Sequence, residues 1–346
     1  IQNKWLNLLV NEKRNICCVG DDDQSIYSWR GAEIKNFLTF DKIYDNCKIF
    51  KLEQNYRSTK NILATASSII SNNGKRLGKT LWSSSDQGEL VKLNCYQNGK
   101  EEAEGISDAI EHSLKKKYSL NNISILVRAI YQTREFEERF LKVGIGYRVL
   151  GGTKFYERAE IKDAISYLRI INQKFDDLAL ERAIGSPRKG VGENTMNQLY
   201  TFASKNKLCL EDSIIKNIEL NQLKPKIKAS LSSFLNMIKK WRTDAKTKKH
   251  YDLLKLVLDE SGYSQMLKNK KDVDNENRLE NLKELLRAMR DYDNLQSFLE
   301  HVALATSIDQ EWDGEKVNLM TMHAAKGLEF DVVFLPGWEE GLFPHQ

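Results

Sequence analysis

Apolar positions recur along this chain at two spacings, and the spacing divides it. Between Leu90 and Leu150 short apolar runs alternate with amphipathic stretches. Leu90 to Tyr96, Ile123 to Val127 and Tyr147 to Leu150 read as strands, the second as a buried one. Helices over Glu101 to Lys117, with Ala103, Ile106, Ile110 and Leu114 inward, and over Tyr131 to Val143 separate them. This β-α-β-α-β order predicts a parallel sheet with crossover helices. Upstream, Ile16 to Val19 reads as a buried strand and Lys48 to Leu52 as a short one. Helices are expected over residues 1–14 and over Ala32 to Phe40, with Ile34, Phe37 and Leu38 inward. Another runs from a Ser58 or Thr59 cap through Ile70, with Ile62, Leu63, Ala66 and Ile69 or Ile70 on one face. From Gly151 to about Asp313 the pattern is helical throughout. One helix ends at Ile171, and one over Leu223 to Trp241 repeats Ile227, Leu231, Phe234, Leu235, Ile238 and Trp241 as a core face. A third opens at Glu276-Asn277-Arg278-Leu279-Glu280-Asn281-Leu282. Two strands then return, Lys316 to Thr321 and Asp331 to Pro336.

Composition narrows this little. The 346 residues suffice for two or more domains. A net charge of +5 permits a nucleic-acid partner without arguing for one. No apolar run reaches membrane-spanning length and no signal peptide is visible, so no membrane partner is expected and a cytoplasmic location is. Cys17, Cys18, Cys47, Cys95 and Cys209 show no metal-binding spacing and read as small buried residues in a reducing compartment, so no metal site is expected. The chain begins at Ile1, with a strong motif almost at once, and reads as a piece of something longer.

Three strings carry the chemistry. The first, Val19-Gly20-Asp21-Asp22-Asp23-Gln24-Ser25-Ile26-Tyr27-Ser28-Trp29-Arg30-Gly31-Ala32, puts polar and aromatic groups at a strand's carboxyl end, where open parallel sheets bind ligands. An aromatic face stacks on any base and an Arg pairs with a phosphate. The second is Leu52-Glu53-Gln54-Asn55-Tyr56-Arg57-Ser58-Thr59, and the third runs from Thr321 to Phe330 through His323, Lys326, Gly327 and Glu329. In this order the strings closely resemble the third, fourth and fifth motifs of the UvrD/PcrA/Rep family of superfamily 1 DNA helicases. The resemblance implies that Gln24 senses the γ-phosphate of ATP and that Arg57 is an arginine finger on it, the two catalytic roles. It implies that Tyr56 stacks on adenine and Glu329 meets the ribose. Tyr27, Trp29 and Arg30, with Thr321 and His323, fall by the same resemblance on the single-stranded DNA track. Gly341-Leu342-Phe343-Pro344-His345 continues the match.

Three further segments stand out. Gly78-Lys79-Thr80 looks like the end of a phosphate-binding loop, but the Gly required five residues before Gly78 is Asn73, so it is rejected as a nucleotide site. Gly151-Gly152, opening the string through Asp163, reads as a turn or hinge. Ser186-Pro187-Arg188-Lys189-Gly190-Val191-Gly192 reads either as a helix connector or as a basic turn whose amides meet a phosphate. A similar turn in the family is proposed to touch duplex DNA, which makes Arg188 and Lys189 candidates. Lys224 to Lys249 holds nine Lys or Arg, either a solvated face or a DNA-backbone patch.

The resemblance implies a RecA-like (P-loop NTPase-type) parallel sheet with a large all-α insertion domain. Residues 1–45 end a first motor domain, 46–155 open a second, 156–313 form the insertion and 314–346 resume the second, incompletely. The expected function is part of an ATP-dependent 3′→5′ DNA helicase that uses Mg²⁺-ATP and engages single-stranded DNA and single-strand/duplex junctions. The family's phosphate loop and Asp-Glu metal pair lie upstream of the first string, and its sixth motif downstream of the last. The chain is therefore expected to be inactive alone and to need an upstream motor segment as partner. The alternatives are a non-enzymatic DNA- or partner-binding regulatory fragment and a decayed reading frame.

Overall fold

A computed structural model describes residues 2–10, 15–28, 31–44, 46–74, 76–269, 273–308 and 313–343. Trp29 and Arg30, and with them two of the expected DNA contacts, lie outside these residues. The chain forms two compact units, Ile1–Cys95 and Tyr96–Gln346.

The first unit is built of short helices: α1 (Gln2–Leu9), α2 (Lys35–Leu38), α3 (Phe40–Ile43) and α4 (Lys60–Ile70). Its expected strands are corrected. Residues 15–20 and 47–52 are irregular, as are 90–95, and Val19 and Phe50 are 85% and 81% exposed. A strand exists only through the ladder it shares with a neighbour. Among the described residues of this unit the backbone pairing of that kind is a single parallel bridge, Gln54 to Trp82. The cysteines are corrected too. Cys17, Cys18 and Cys95 are exposed and Cys47 and Cys209 half-buried. On α4 only Leu63 is buried, whereas Ile62, Ala66 and Ile69 face solvent.

The second unit follows its pattern closely. α5 (Gly99–Lys115) buries Ala103, Ile106 and Ile110, and β1 (Ile123–Val127), α6 (Thr133–Val143) and β2 (Tyr147–Leu150) come next. Helices α7 (Ala159–Asn172), α8 (Asp177–Gly185), α9 (Glu193–Asn206), α10 (Leu210–Glu219) and α11 (Pro225–Asp244) follow. α12 (His250–Glu260), α13 (Tyr263–Asn269), α14 (Val273–Met289) and α15 (Leu295–Ile308) complete the run before β3 (Val317–Thr321) and β4 (Val332–Phe334). The sheet order is β2-β3-β1-β4, all pairs parallel. β1 and β3 are buried along nearly their whole length, so that even the polar Ser124 of β1 and Asn318 of β3 lie inside. No described helix is long and apolar enough to cross a membrane.

Two apolar cores result. The sheet packs α5 and α6 over Ile123, Ile125, Val127 and Leu319. The later helices pack around Trp241, Tyr167 and Phe234, whose rings meet edge to face. A buried polar joint connects sheet and helices. From α6, Arg134 donates to Glu284 of α14 (2.7 Å) and Glu138 (2.8 Å) and pairs with Glu135. Just before α7, Arg158 donates to Asn281 (2.8 Å), Thr133 (2.8 Å) and the Ile130 carbonyl (3.1 Å). Asn281 in turn donates to Glu160 (2.6 Å). Burial pushes the Glu137 carboxyl above its ordinary range despite Arg158 beside it, and likewise pulls Arg158 down.

Arg134→Met removes the cation that Glu135, Glu138 and Glu284 share and is expected to cost about 3–5 kcal/mol, the range for breaking a buried ion pair. Glu284→Gln leaves Arg134 two acids and is expected to cost less than half as much. Urea unfolding measures both, and equal losses would contradict this asymmetry. The raised Glu137 pKa makes its stabilisation complete below the ordinary value of 4.5 and lost as pH rises through the folded value. The margin of wild type over Glu137→Gln is therefore largest in acid and shrinks toward neutrality in melting experiments; a margin that grows with pH would refute it.

Candidate functional site

In the first unit the Gln24 loop is a single turn of 3₁₀ helix, Asp22–Gln24, capped by Asp21. One Asp21 carboxylate oxygen accepts from the Asp23 amide (3.0 Å) and the other from the Gln24 side-chain amide (2.7 Å). Gly20 is required by close approach: a Cβ there would lie 2.8 Å from the Phe37 ring. The rejected Gly78-Lys79-Thr80 segment meets this loop. Arg76 grips both Asp23 oxygens (2.9 and 2.6 Å), Leu77 N–H donates to Asp22 (2.8 Å), and Lys79 donates to Asp21 and lies 3.7 Å from Asp23. Burial on its own raises the Asp21 pKa, but the hydrogen bond and charge of Lys79, with the Asp23 N–H and Gln24 amide, hold it below its ordinary value. Asp21, Asp22 and Asp23 are close enough to share a cation, their oxygens lying within 4.8 Å. Arg76 and Lys79 already answer their charge, so the donor set does not fit Mg²⁺. Tyr27 is half-buried nearby in sequence.

The second string is shaped by Asn55. Its side-chain oxygen accepts from the amides of Arg57 (3.1 Å) and Ser58 (2.9 Å), a turn that short polar side chains favour. Its own amide donates to the Trp82 carbonyl (2.8 Å). Tyr56 is left 78% exposed, its hydroxyl donating to Gln54 (2.7 Å), and Arg57 is exposed beside it. An exposed ring next to a guanidinium suits a base and its phosphates. Thr59 caps α4 by backbone position without a side-chain bond.

In the second unit the third string leaves the carboxyl edge of the sheet, where open parallel sheets bind ligands. Thr321 pairs in register with Val127, and the Met322 amide continues the ladder to the Val127 carbonyl (2.9 Å). The Thr321 hydroxyl accepts from the Ala324 amide (3.2 Å) and starts the turn that carries half-buried His323. Glu329 is exposed just beyond it. Gly151, left-handed at φ +76°, ends β2 so close that a Cβ would touch Ala324 at 3.4 Å. The β2 and β3 loops therefore meet at this edge.

The basic turn after α8 separates its two candidates. Arg188 is exposed. The Lys189 ammonium turns inward, donating to the carbonyls of Ala183 and Pro187 (both 3.1 Å) and to the Tyr167 hydroxyl (3.4 Å), 4.3 Å above the Phe234 ring. Burial pulls its pKa down to about 8. Gln24, Tyr27, Tyr56 and Arg57 thus lie in the first unit, and Arg188, Lys189, Thr321, His323 and Glu329 in the second. Spacing alone did not reveal Arg76, Lys79 or Asn55. The one available signal was the basic residues inside the loop that resembles a phosphate site.

Comparison with known sequences agrees with the motif order. Residues 50–346 match the UvrD-like helicase C-terminal domain, and residues 1–45 match the UvrD/REP helicase N-terminal domain. A probable DNA helicase II homolog of Rickettsia felis is 43% identical over 349 residues, covering 100% of this chain and 53% of its own length. The ATP-dependent DNA helicase PcrA of Bacillus subtilis is 40% identical, with 97% and 47% covered. That of Staphylococcus epidermidis is 39% identical, with 99% and 48% covered. The chain spans about half the length of the curated relatives it matches.

Nitrogen-15 NMR of the lysine side chains is expected to place the Lys189 midpoint near 8 rather than its ordinary 10.5. A depressed lysine costs stability when protonated, so the cost is absent above the ordinary value and complete below about 8. Wild type should therefore gain on Lys189→Met as pH rises through this window; an unchanged difference would show the ammonium to be solvated.

Proposed function

This chain belongs to the UvrD-like helicase family, and from that premise we propose that it forms part of an ATP-dependent DNA helicase moving 3′→5′ on single-stranded DNA. The observation that carries the reading is the match of both family domains, in order, across residues 1–45 and 50–346. The geometry supports it with an exposed Tyr56-Arg57 pair for base and phosphate and a Thr321-His323 turn at the carboxyl edge of a parallel sheet.

In this reading Gln24 and Arg57 attend the terminal phosphate of ATP, Tyr56 the adenine and Glu329 the ribose. A guanidinium keeps its charge and offers forked donors, which suits the charge that develops in phosphoryl transfer. Tyr27, Trp29, Arg30, Thr321 and His323 line the strand. Closure on ATP and reopening after hydrolysis move the strand past stacked aromatic side chains. Residues 1–45 close one motor domain, 46–155 and 314–346 belong to a second, and helices α7 to α15 are its all-α insertion. Arg188 reaches duplex DNA from the turn after α8, while Lys189 shapes that turn from within and adds charge to it.

The chain supplies nucleotide-sensing groups but no grip on the β-phosphate. Its sequence holds no Gly-x-x-x-x-Gly-Lys-Ser/Thr loop, and its three clustered acids are engaged by Arg76 and Lys79. It does not turn over ATP by itself.

Binding titrations test the strand contacts. Trp29→Ala is expected to weaken single-stranded DNA about tenfold, within the range for loss of one stacked base, and to change duplex binding little. Arg188→Ala should do the reverse and lower the salt slope by roughly one phosphate contact. Equal losses on both DNA forms from Trp29→Ala would remove the stacking role.

A further inference from the structure

The segment that imitates a phosphate loop has a use that its sequence conceals. Its cations bind carboxylates. Arg76 closes a two-pronged bond on Asp23, Leu77 N–H meets Asp22, and Lys79 meets Asp21. All three acids of the loop are thereby tied to one short stretch, 53 to 58 positions later in the chain. The first acid, Asp21, matters most. Asp21 uses one oxygen for Lys79 and the Asp23 amide, and the other for the Gln24 side chain at 2.7 Å. An amide side chain has two faces, donor and acceptor, and rotates freely unless a partner selects one. Asp21 makes that selection, and Lys79 fixes the carboxylate that makes it.

We infer that Lys79 is a positioning residue for Gln24, acting through Asp21, and that Arg76 anchors the same loop through Asp23. This rests on the reading of Gln24 as the group that senses the terminal phosphate. The contact transmits order, not charge: Lys79 touches no nucleotide in this account. Lys79 holds the Asp21 carboxyl below its ordinary value, and the ionised carboxylate accepts from Lys79 through one oxygen and from Gln24 through the other. Removing the lysine charge releases the carboxylate and then the amide. A purely structural lysine would behave otherwise, weakening every nucleotide alike.

Equilibrium titration of the full chain with a fluorescent ATP analogue and the matching ADP analogue separates these outcomes. The ratio of the two affinities reads recognition of the terminal phosphate. Lys79→Met is expected to lower that ratio about fivefold, the typical worth of one hydrogen bond, with ADP affinity unchanged. Lys79→Arg should keep the ratio. In a Gln24→Ala background Lys79→Met should add nothing, because both changes remove one interaction. The positioning role is overturned if Lys79→Met keeps the ratio while Gln24→Ala loses it. It is equally overturned if the two losses add, or if Lys79→Met weakens ATP and ADP analogues alike. A wild-type chain that binds both analogues equally overturns the phosphate-sensing role of Gln24 itself, and the positioning role with it.

Discussion

The second unit depends on one pairing. β3 lies between β2 and β1 and is hydrogen-bonded to both, from Val317 beside Tyr147 to Met320 beside Leu126. β1 and β2 are consecutive strands in the chain, yet they do not touch. The strand that joins them arrives only after helices α7 to α15 have been traversed. Long-range parallel pairing of this kind costs loop-closure entropy before it returns any hydrogen bonds. The helices must therefore be held against the sheet, and the buried joint of Arg134, Arg158, Asn281 and Glu284 does this. Thr321, His323 and the turn after them inherit their place from that arrangement, since their loop is the direct continuation of β3.

Where an element carries its own reason for forming, the sequence shows it. β1 and β2 appear at the bounds expected for them; β1 is buried along nearly its whole length, whereas β2 buries only Tyr147 fully and exposes Arg148. Periodicity also reports the core for the inward face of α11 and for Ala103, Ile106 and Ile110 of α5, but Leu114, expected inward on the last turn of α5, is exposed. Where an element depends on a partner, the local pattern misleads. Ile16 to Val19, Lys48 to Leu52 and Leu90 to Tyr96 all have strand-like composition and no ladder. The joint was invisible for the opposite reason. Arg134 and Glu284 are 150 positions apart, and no spacing rule connects them. The candidate site divides in the same way. Family strings single out Gln24, Tyr56, Arg57 and Glu329 as candidates, but they are silent on what holds each side chain. Lys189 shows the cost of that silence: read as a basic turn, it is an ammonium lodged against Phe234 and helix-end carbonyls.

The Gly78-Lys79-Thr80 segment makes a related point about chemistry. Glycine with lysine suggests an anion site, and an anion is indeed bound. It is supplied by the chain itself, as Asp21 and Asp23. Phosphates and carboxylates share charge and acceptor geometry, so a short string cannot distinguish a nucleotide from an internal acid. The preceding strand and the spacing of the glycines decide, and both argue against a nucleotide here.

In the proposed reading Gln24, Tyr56, Arg57 and Glu329 attend ATP, and the phosphates are held for hydrolysis by a loop and an Asp-Glu pair outside this stretch of sequence. The most direct measurement is DNA-stimulated ATP hydrolysis by the chain alone and mixed with a separately made segment carrying a phosphate loop and an Asp-Glu pair. No turnover is expected from the chain alone, and turnover is expected in the mixture. Turnover by the chain alone, at a rate unaffected by the added segment, would contradict that reading.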